Sequence, residues 1–417
     1  MQLKTILNRV QKHRSFVYGS AEFVETDRGP GIKVEIRPRA NSHAVCSSCE
    51  QPGPGYDTLQ PRRFEFVPLW GFLVFFVYAM RRVDCGDCGV KVEKVPWAKG
   101  KQHLTTTYAW FLASWAKRMT WTDVSKAFCI SWDSVFRAVK QAVEWGRAHM
   151  DLTGVSSIGI DEISLRRGMR FVTLVYQIDE ARRRLLWIGE DREAETLLRF
   201  FRWFGEERSA KLKFVCSDMW AAYLKVLAEK AKSAVHVLDR FHIMSHLSFA
   251  IDRVRAAEAK ELVKAGYEPI LKHSRWCLLK RPENLTEKQE ARLTDLVRYN
   301  LKAVRAYLLK EDFQGFWHYV SPAWAGKFLD RWCTRVMRSR LEPMKRVARM
   351  LQRHRLLILN WFRAKGAVSA GTVEGLNGKA KVTTRRAYGF RTFNAAEIAL
   401  FHTLGDLPEL EFTHRFC

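Results

Sequence analysis

The sequence predicts an α/β core interrupted by an all-helical insertion and preceded by two small modules. Three observations carry that expectation. Between residues 155 and 240 the apolar pattern alternates as three strands, a helix, a strand, a helix and a strand. From about 246 to 362 it becomes almost wholly helical and rich in Arg and Trp. Ahead of both stand two CxxC pairs and a short helix, tight turn and longer helix. These patterns divide the chain at 1–100, 101–150, 151–245, 246–362 and 363–417.

Size and charge narrow the function. A chain of 417 residues with a 47% apolar fraction has core enough for several domains. It carries 70 Lys and Arg against 44 Asp and Glu, a formal charge of +26. Such an excess repels itself unless a polyanion neutralises it, and duplex DNA is the obvious candidate. The opening MQLKTILNRVQKHR lacks a long apolar core, so no secretory signal is expected. The longest apolar run, Phe64 to Met80, contains Glu65, Pro68 and Gly71 and falls short of the roughly 20 residues of a spanning helix. A cytoplasmic, nucleoid-associated protein without a membrane partner is expected.

Residues 1–40 read as a hairpin, FVYGSAEFVE and IKVEIRPRA, joined by DRGPG. Cys46 and Cys49, then Cys85 and Cys88, form two knuckles with 35 residues between them. Four thiolates so spaced can close a tetrahedron around a structural Zn²⁺, which supplies folding energy to a small domain. The intervening segment reads as two strands turning at Trp70-Gly71, as in a zinc ribbon. Residues 104–150 read as a helix and a helix-turn-helix pair, with Thr122 and Ser131 as N-caps. The second helix of such a pair enters the major groove, which makes Ser134, Arg137, Lys140 and Gln141 its DNA-facing residues.

The strand order after 155 is that of a ribonuclease H-like fold. Its first and fourth strands are spatial neighbours and end in SSIGIDEISL and KFVCSDMW, so they deliver Asp161 and Asp218 together. Glu162 points to the opposite strand face and becomes a residue that supports the ligands from behind. Asp239 and His242, just past a later strand, are candidates for the same supporting role. The third carboxylate is Glu374, the one acid among seven basic residues from Trp361 to Arg391. On a helix starting near Thr372 it shares a face with Asn377, Lys381 and Arg385. Asn377, Lys379, Lys381, Arg385 and Arg386 are therefore expected to line the DNA. Three carboxylates from two strands and a helix can hold two Mg²⁺ or Mn²⁺ ions, the arrangement used in phosphodiester chemistry. Most of the Trp residues of the insertion are expected in its core.

Together the motifs resemble the ISL3 family of DDE-type transposases from bacterial insertion sequences. Those carrying the likeness are the two cysteine knuckles, the helix-turn-helix, Gly159-Ile160-Asp161-Glu162, Cys216-Ser217-Asp218-Met219, Asp239-Arg240-Phe241-His242 and Glu374-Gly375-Leu376-Asn377. The basic KVTTRRAYGFR near the end also fits. Ala370 departs from the pattern, where the family usually carries Asn. The resemblance implies strand cleavage at terminal inverted repeats and strand transfer into target DNA. It also implies metal held by Asp161, Asp218 and Glu374, and a dimer or higher oligomer working on two DNA ends. The competing readings are a zinc-ribbon and helix-turn-helix regulator that is catalytically inactive or domesticated, and a nuclease without strand transfer.

Overall fold

The computed structural model describes residues 3–166, 170–364 and 370–410. It is a mixed α/β protein dividing into two compact units, Met1–Asp151 with Arg386–Cys417, and Leu152–Arg385.

The first unit starts with helix α1 (Leu3–Val10), which the sequence reading did not anticipate, and hairpin β1 (Phe16–Thr26) and β2 (Gly29–Pro38). Two short strands, β3 (Ala44–Val45) and β4 (Pro52–Gly53), frame the first cysteine knuckle. The long strands β5 (Gly55–Leu69) and β6 (Phe72–Cys85) turn at Trp70-Gly71, and β7 (Gly89–Val92) follows. Trp70 and Gly71 take φ of 51° and 84°, left-handed values that glycine accepts without strain. The two hairpins share one sheet, ordered β1-β2-β6-β5 with β7 on β6, because β2 pairs in parallel with β6. Trp97 is the fully buried centre of that core, its ring meeting those of Phe16, Tyr78 and His13 at 4.9–5.4 Å.

Three helices follow in the same unit: α2 (Thr106–Ala116), α3 (Trp121–Ala127) and α4 (Trp132–Ala148). Ser131 caps α4 as expected, its hydroxyl accepting from the Ser134 N–H at 3.1 Å. The cap of α3 is Thr120 and not Thr122, since Thr120 Oγ1 accepts from the Asp123 N–H at 3.1 Å. Thr122 already lies inside the helix.

The second unit holds a five-stranded sheet ordered β10-β9-β8-β11-β12. Its strands are β8 (Ser157–Arg166), β9 (Arg170–Asp179), β10 (Arg182–Glu190), β11 (Phe214–Ser217) and β12 (Val235–Leu238). Helices α5 (Ala194–Phe204) and α6 (Glu206–Ala210) precede β11, and α7 (Ala221–Lys230) precedes β12. Strands β8, β9 and β10 are antiparallel, whereas β8, β11 and β12 run parallel.

From there the chain is helical. It passes through α8 (Arg240–Lys264), α9 (Arg275–Leu279), α10 (Glu287–Val297), α11 (Lys302–Gln314), α12 (Pro322–Met337), α13 (Glu342–Arg353) and α14 (Arg355–Arg363). Trp317 and Trp332 are buried in the core of these helices, with Trp361 packed against it; Trp276 and Trp324 are exposed. Helix α15 (Ala370–Arg386) carries Glu374. The last helix, α16 (Phe393–Leu404), was expected with the α/β core. It packs instead in the first unit, where Arg147 of α4 pairs with Glu397 at 2.8 Å. Cys417 lies outside the described residues.

Candidate active site

Strand register lines up the acids. Phe214 pairs with Ser157 and Cys216 with Gly159; continued along the strands, this register sets Asp218 level with Asp161. Ser217 pairs with Leu238, which sets Asp239 level with Asp218. Asp218 and Asp239 directly follow β11 and β12, at the C-terminal ends where open α/β sheets form their binding crevices, whereas Asp161 lies midway along the longer β8.

Gly159 explains how α15 reaches this row. A Cβ at Gly159 would lie 2.5 Å from Val373 Cγ2, so only glycine lets the helix seat this close. Val373, Leu376, Asn377 and Ala380 form its buried face, spaced at helical positions i, i+3, i+4 and i+7. Glu374, Lys379, Lys381, Arg385 and Arg386 are exposed. Asn377, expected on the DNA-facing side, is 4% exposed and turns inward. Its Nδ2 donates to Asp161 Oδ2, and its Oδ1 accepts from the Tyr176 hydroxyl at 2.7 Å.

Each acid has its own partners. Asp161 Oδ1 accepts from the Glu162 N–H at 2.7 Å, and His242 Nε2 stands 3.9 Å from Asp161 and 3.8 Å from Asp239. Arg192 bridges Glu162 and Asp218, each at 3.3 Å, with its guanidinium 4.7 Å from the Trp220 ring centre. Asp218 Oδ1 also accepts from the Trp220 N–H at 2.9 Å, and Asp239 caps α8 through the Phe241 N–H at 2.8 Å. Burial raises the Asp161 carboxyl above its ordinary value, with Asp218 adding to it and His242 and Lys381 opposing it. Burial lifts Glu162 to about 7, aided by the Asp218 charge. Asp239 rises to about 6, mainly through burial, with Asp161 and Glu374 contributing.

These acids are therefore close enough to repel one another. They are not drawn into a tight cage: among the described residues, the one group of three or more ligand atoms all within 4.8 Å of each other is the four cysteine thiols. The donor set, hard carboxylate oxygens in a partly dry row, suits Mg²⁺ or Mn²⁺.

The thiols fit a tetrahedral ion. Zinc–sulfur bonds of about 2.3 Å set sulfurs about 3.8 Å apart; Cys49 and Cys85 Sγ lie 3.4 Å apart. Cys46 Sγ accepts from the Ser48 N–H at 3.4 Å. Backbone N–H groups of Cys49 and Ser48 hold the Cys46 thiol down at about 7, which favours the thiolate a metal binds.

On α4, Arg137 is paired with Asp133, and Lys140 lies 3.7 Å from Glu144. Ser134, Arg137 and Gln141 line a cavity of about 310 Å³ with Arg28, Glu65 and His103, so this helix face borders the sheet module.

Sequence reasoning missed Arg192, Tyr176 and the inward role of Asn377. The last carried a signal, since Val373, Leu376 and Ala380 mark the same helix face as apolar.

A family model described as transposase, of the DDE type and the ISL3 group, matches residues 158–400. The transposase for insertion sequence element IS1001 of Bordetella parapertussis is 28% identical over 379 residues, covering 90% of this chain and 92% of that protein. The transposase for insertion sequence element IS1557 of Mycobacterium tuberculosis is 30% identical over 426 residues, covering 94% of each. Among the described residues no helix is long and apolar enough to cross a membrane. The chain belongs to the ISL3 family of insertion-sequence DDE transposases.

Proposed function

We propose that this transposase binds the terminal inverted repeats of its element, cleaves DNA there and joins the ends to target DNA, with Asp161, Asp218 and Glu374 as the catalytic carboxylates. The observation that carries the reading is the level row of Asp161, within β8, and Asp218, just past the adjacent parallel β11, with the Glu374 helix seated on Gly159 beside them. The sheet order and the helical segment after β12 support a ribonuclease H-like core with an inserted helical domain. A bound pair of Mg²⁺ or Mn²⁺ ions would activate the attacking oxygen and stabilise the leaving one in both cleavage and joining. Asp161, fixed by Asn377, keeps a carboxylate turned toward the crevice. His242 stands between Asp161 and Asp239 and moderates their charge. Lys379, Lys381 and Arg385 project from the exposed side of α15, where they can hold phosphates.

The four thiols hold a structural Zn²⁺ in this reading, and with α3 and α4 they form the end-binding modules. A homodimer or larger assembly would bring two DNA ends together. The test is metal-dependent cleavage of DNA carrying the flanking inverted repeats, then joining of pre-cut ends to supercoiled plasmid. Asp161→Asn, Asp218→Asn and Glu374→Gln should each abolish both steps while repeat binding persists. Wild-type cutting by any one of them removes that residue from the trio. Tight binding without cutting at any Mg²⁺ or Mn²⁺ level would instead favour the regulator.

A further inference from the structure

We propose that Tyr176 and Asn377 form a positioning relay that fixes the orientation of the Asp161 carboxylate and couples it to the helix bearing Glu374. The inference rests on the reading of Asp161 as a cation ligand.

Three elements meet in the relay: Tyr176 from β9, Asn377 from α15 and Asp161 from β8. Tyr176 is fully buried and Asn377 nearly so, so neither is free to hold a phosphate. The chemistry leaves the relay one sense. Asn377 Oδ1 can only accept, so the Tyr176 hydroxyl donates to it, and the amide must then turn its NH₂ toward Asp161. A flipped amide would set an oxygen against a carboxylate oxygen. Burial and the Asp161 charge push Tyr176 ionisation well above its ordinary value, so the hydroxyl stays a donor.

The result at Asp161 is specific. Each carboxylate oxygen has one fixed donor, Asn377 Nδ2 on Oδ2 and the Glu162 N–H on Oδ1. Each therefore keeps one lone-pair direction free, and the group cannot rotate without breaking a bond. Tyr176 is paired with Gly159 across the β8–β9 ladder, the same glycine that admits Val373. Asn377 lies one turn beyond Glu374. A single seat thus sets the aim of one carboxylate and the position of the helix supplying another. Partners that orient a metal ligand from behind typically change metal affinity about 10–100-fold when removed.

The test uses the full-length protein and Mn²⁺, whose free ion is counted by its electron paramagnetic resonance signal without any catalysis. Tyr176→Phe and Asn377→Ala should each weaken Mn²⁺ binding about 10–100-fold. Cleavage should recover toward the wild-type rate when Mn²⁺ is raised to match, because the relay aims a ligand and does not touch DNA. Unchanged Mn²⁺ affinity in a folded Tyr176→Phe protein would overturn the proposal, and so would a cleavage defect that saturating Mn²⁺ leaves untouched. Should Asn377→Ala melt early in EDTA, the phenylalanine variant alone decides. Asp161→Asn is the separating control: if it binds Mn²⁺ like wild type, the ligand reading fails first.

Discussion

Replacing Gly159 with Ala tests the seat of α15 directly. The added Cβ would meet Val373 Cγ2 at 2.5 Å, with Ile178 Cγ2 at 3.3 Å, whereas carbon pairs settle at about 3.5–4.0 Å. Val373 is buried and β-branched, so one rotamer dominates on a helix and the methyl cannot swing away. Relief must come from moving α15 by about 1 Å. Overpacking of this kind costs about 1–3 kcal/mol. In a unit spanning Leu152–Arg385 that corresponds to a melting point lowered by about 2–12 °C. Elsewhere Gly→Ala stabilises by about 0.4–1 kcal/mol when the backbone tolerates it, so the sign alone is informative. A displacement of 1 Å near the chemistry can lower cleavage about 100-fold. Val373→Ala removes the offending carbon, so the double variant should be more stable and more active than the sum of the single losses, with a coupling of about 0.5–3 kcal/mol. Scanning calorimetry and a cleavage time course on all four proteins measure both. Simple additivity, or a Gly159→Ala protein that melts higher than wild type, would refute the close seating.

Other expectations follow from the same geometry. Cys49→Ser should release one Zn²⁺ per chain, read by mass spectrometry, and abolish end-specific footprints while weak salt-sensitive DNA binding remains. Neutralising Lys379, Lys381 or Arg385 should each flatten the salt dependence of DNA affinity by about one unit; Arg386, which donates to the Arg118 carbonyl at 3.0 Å, should matter less. In EDTA, stability should fall as pH rises from about 4 through 7. Glu162 and Asp239 sit at about 7 and about 6 when folded and titrate near 4 when unfolded, so the folded state gains while they are protonated and loses once they ionise. Glu162→Gln should remove the upper part of that slope, and a melting point still falling as steeply between pH 6 and 8 would count against it.

The parts of this molecule legible in sequence are those whose signal is local. CxxC spacing encodes its own geometry, and Asp161 and Asp218 end apolar runs whose order fixes which strands pair. The alignment of Asp239 with them was not readable, because strand register is settled by contacts between segments far apart in the chain. Asn377 was assigned to the wrong side of its helix for a related reason. Periodicity groups residues into faces, but only packing says which face is buried, and Gly159, the residue that decides it, lies in a distant strand. The placement of α16 followed the same rule: its apolar face fits α4, and nothing in the helix itself names that partner.

Arg192 adds a constraint that the acids alone do not express. A row of partly buried carboxylates is costly when ionised, and each neighbour raises the cost to the next. The structure offsets this with basic side chains placed beside the acids. Arg192 spans Glu162 and Asp218 and rests against Trp220, while Lys381 and His242 act on Asp161. Divalent ions bound among the acids would compete with Arg192 for Asp218, whose Oδ2 faces the guanidinium at 3.3 Å. An arginine 37% exposed is held weakly enough to move.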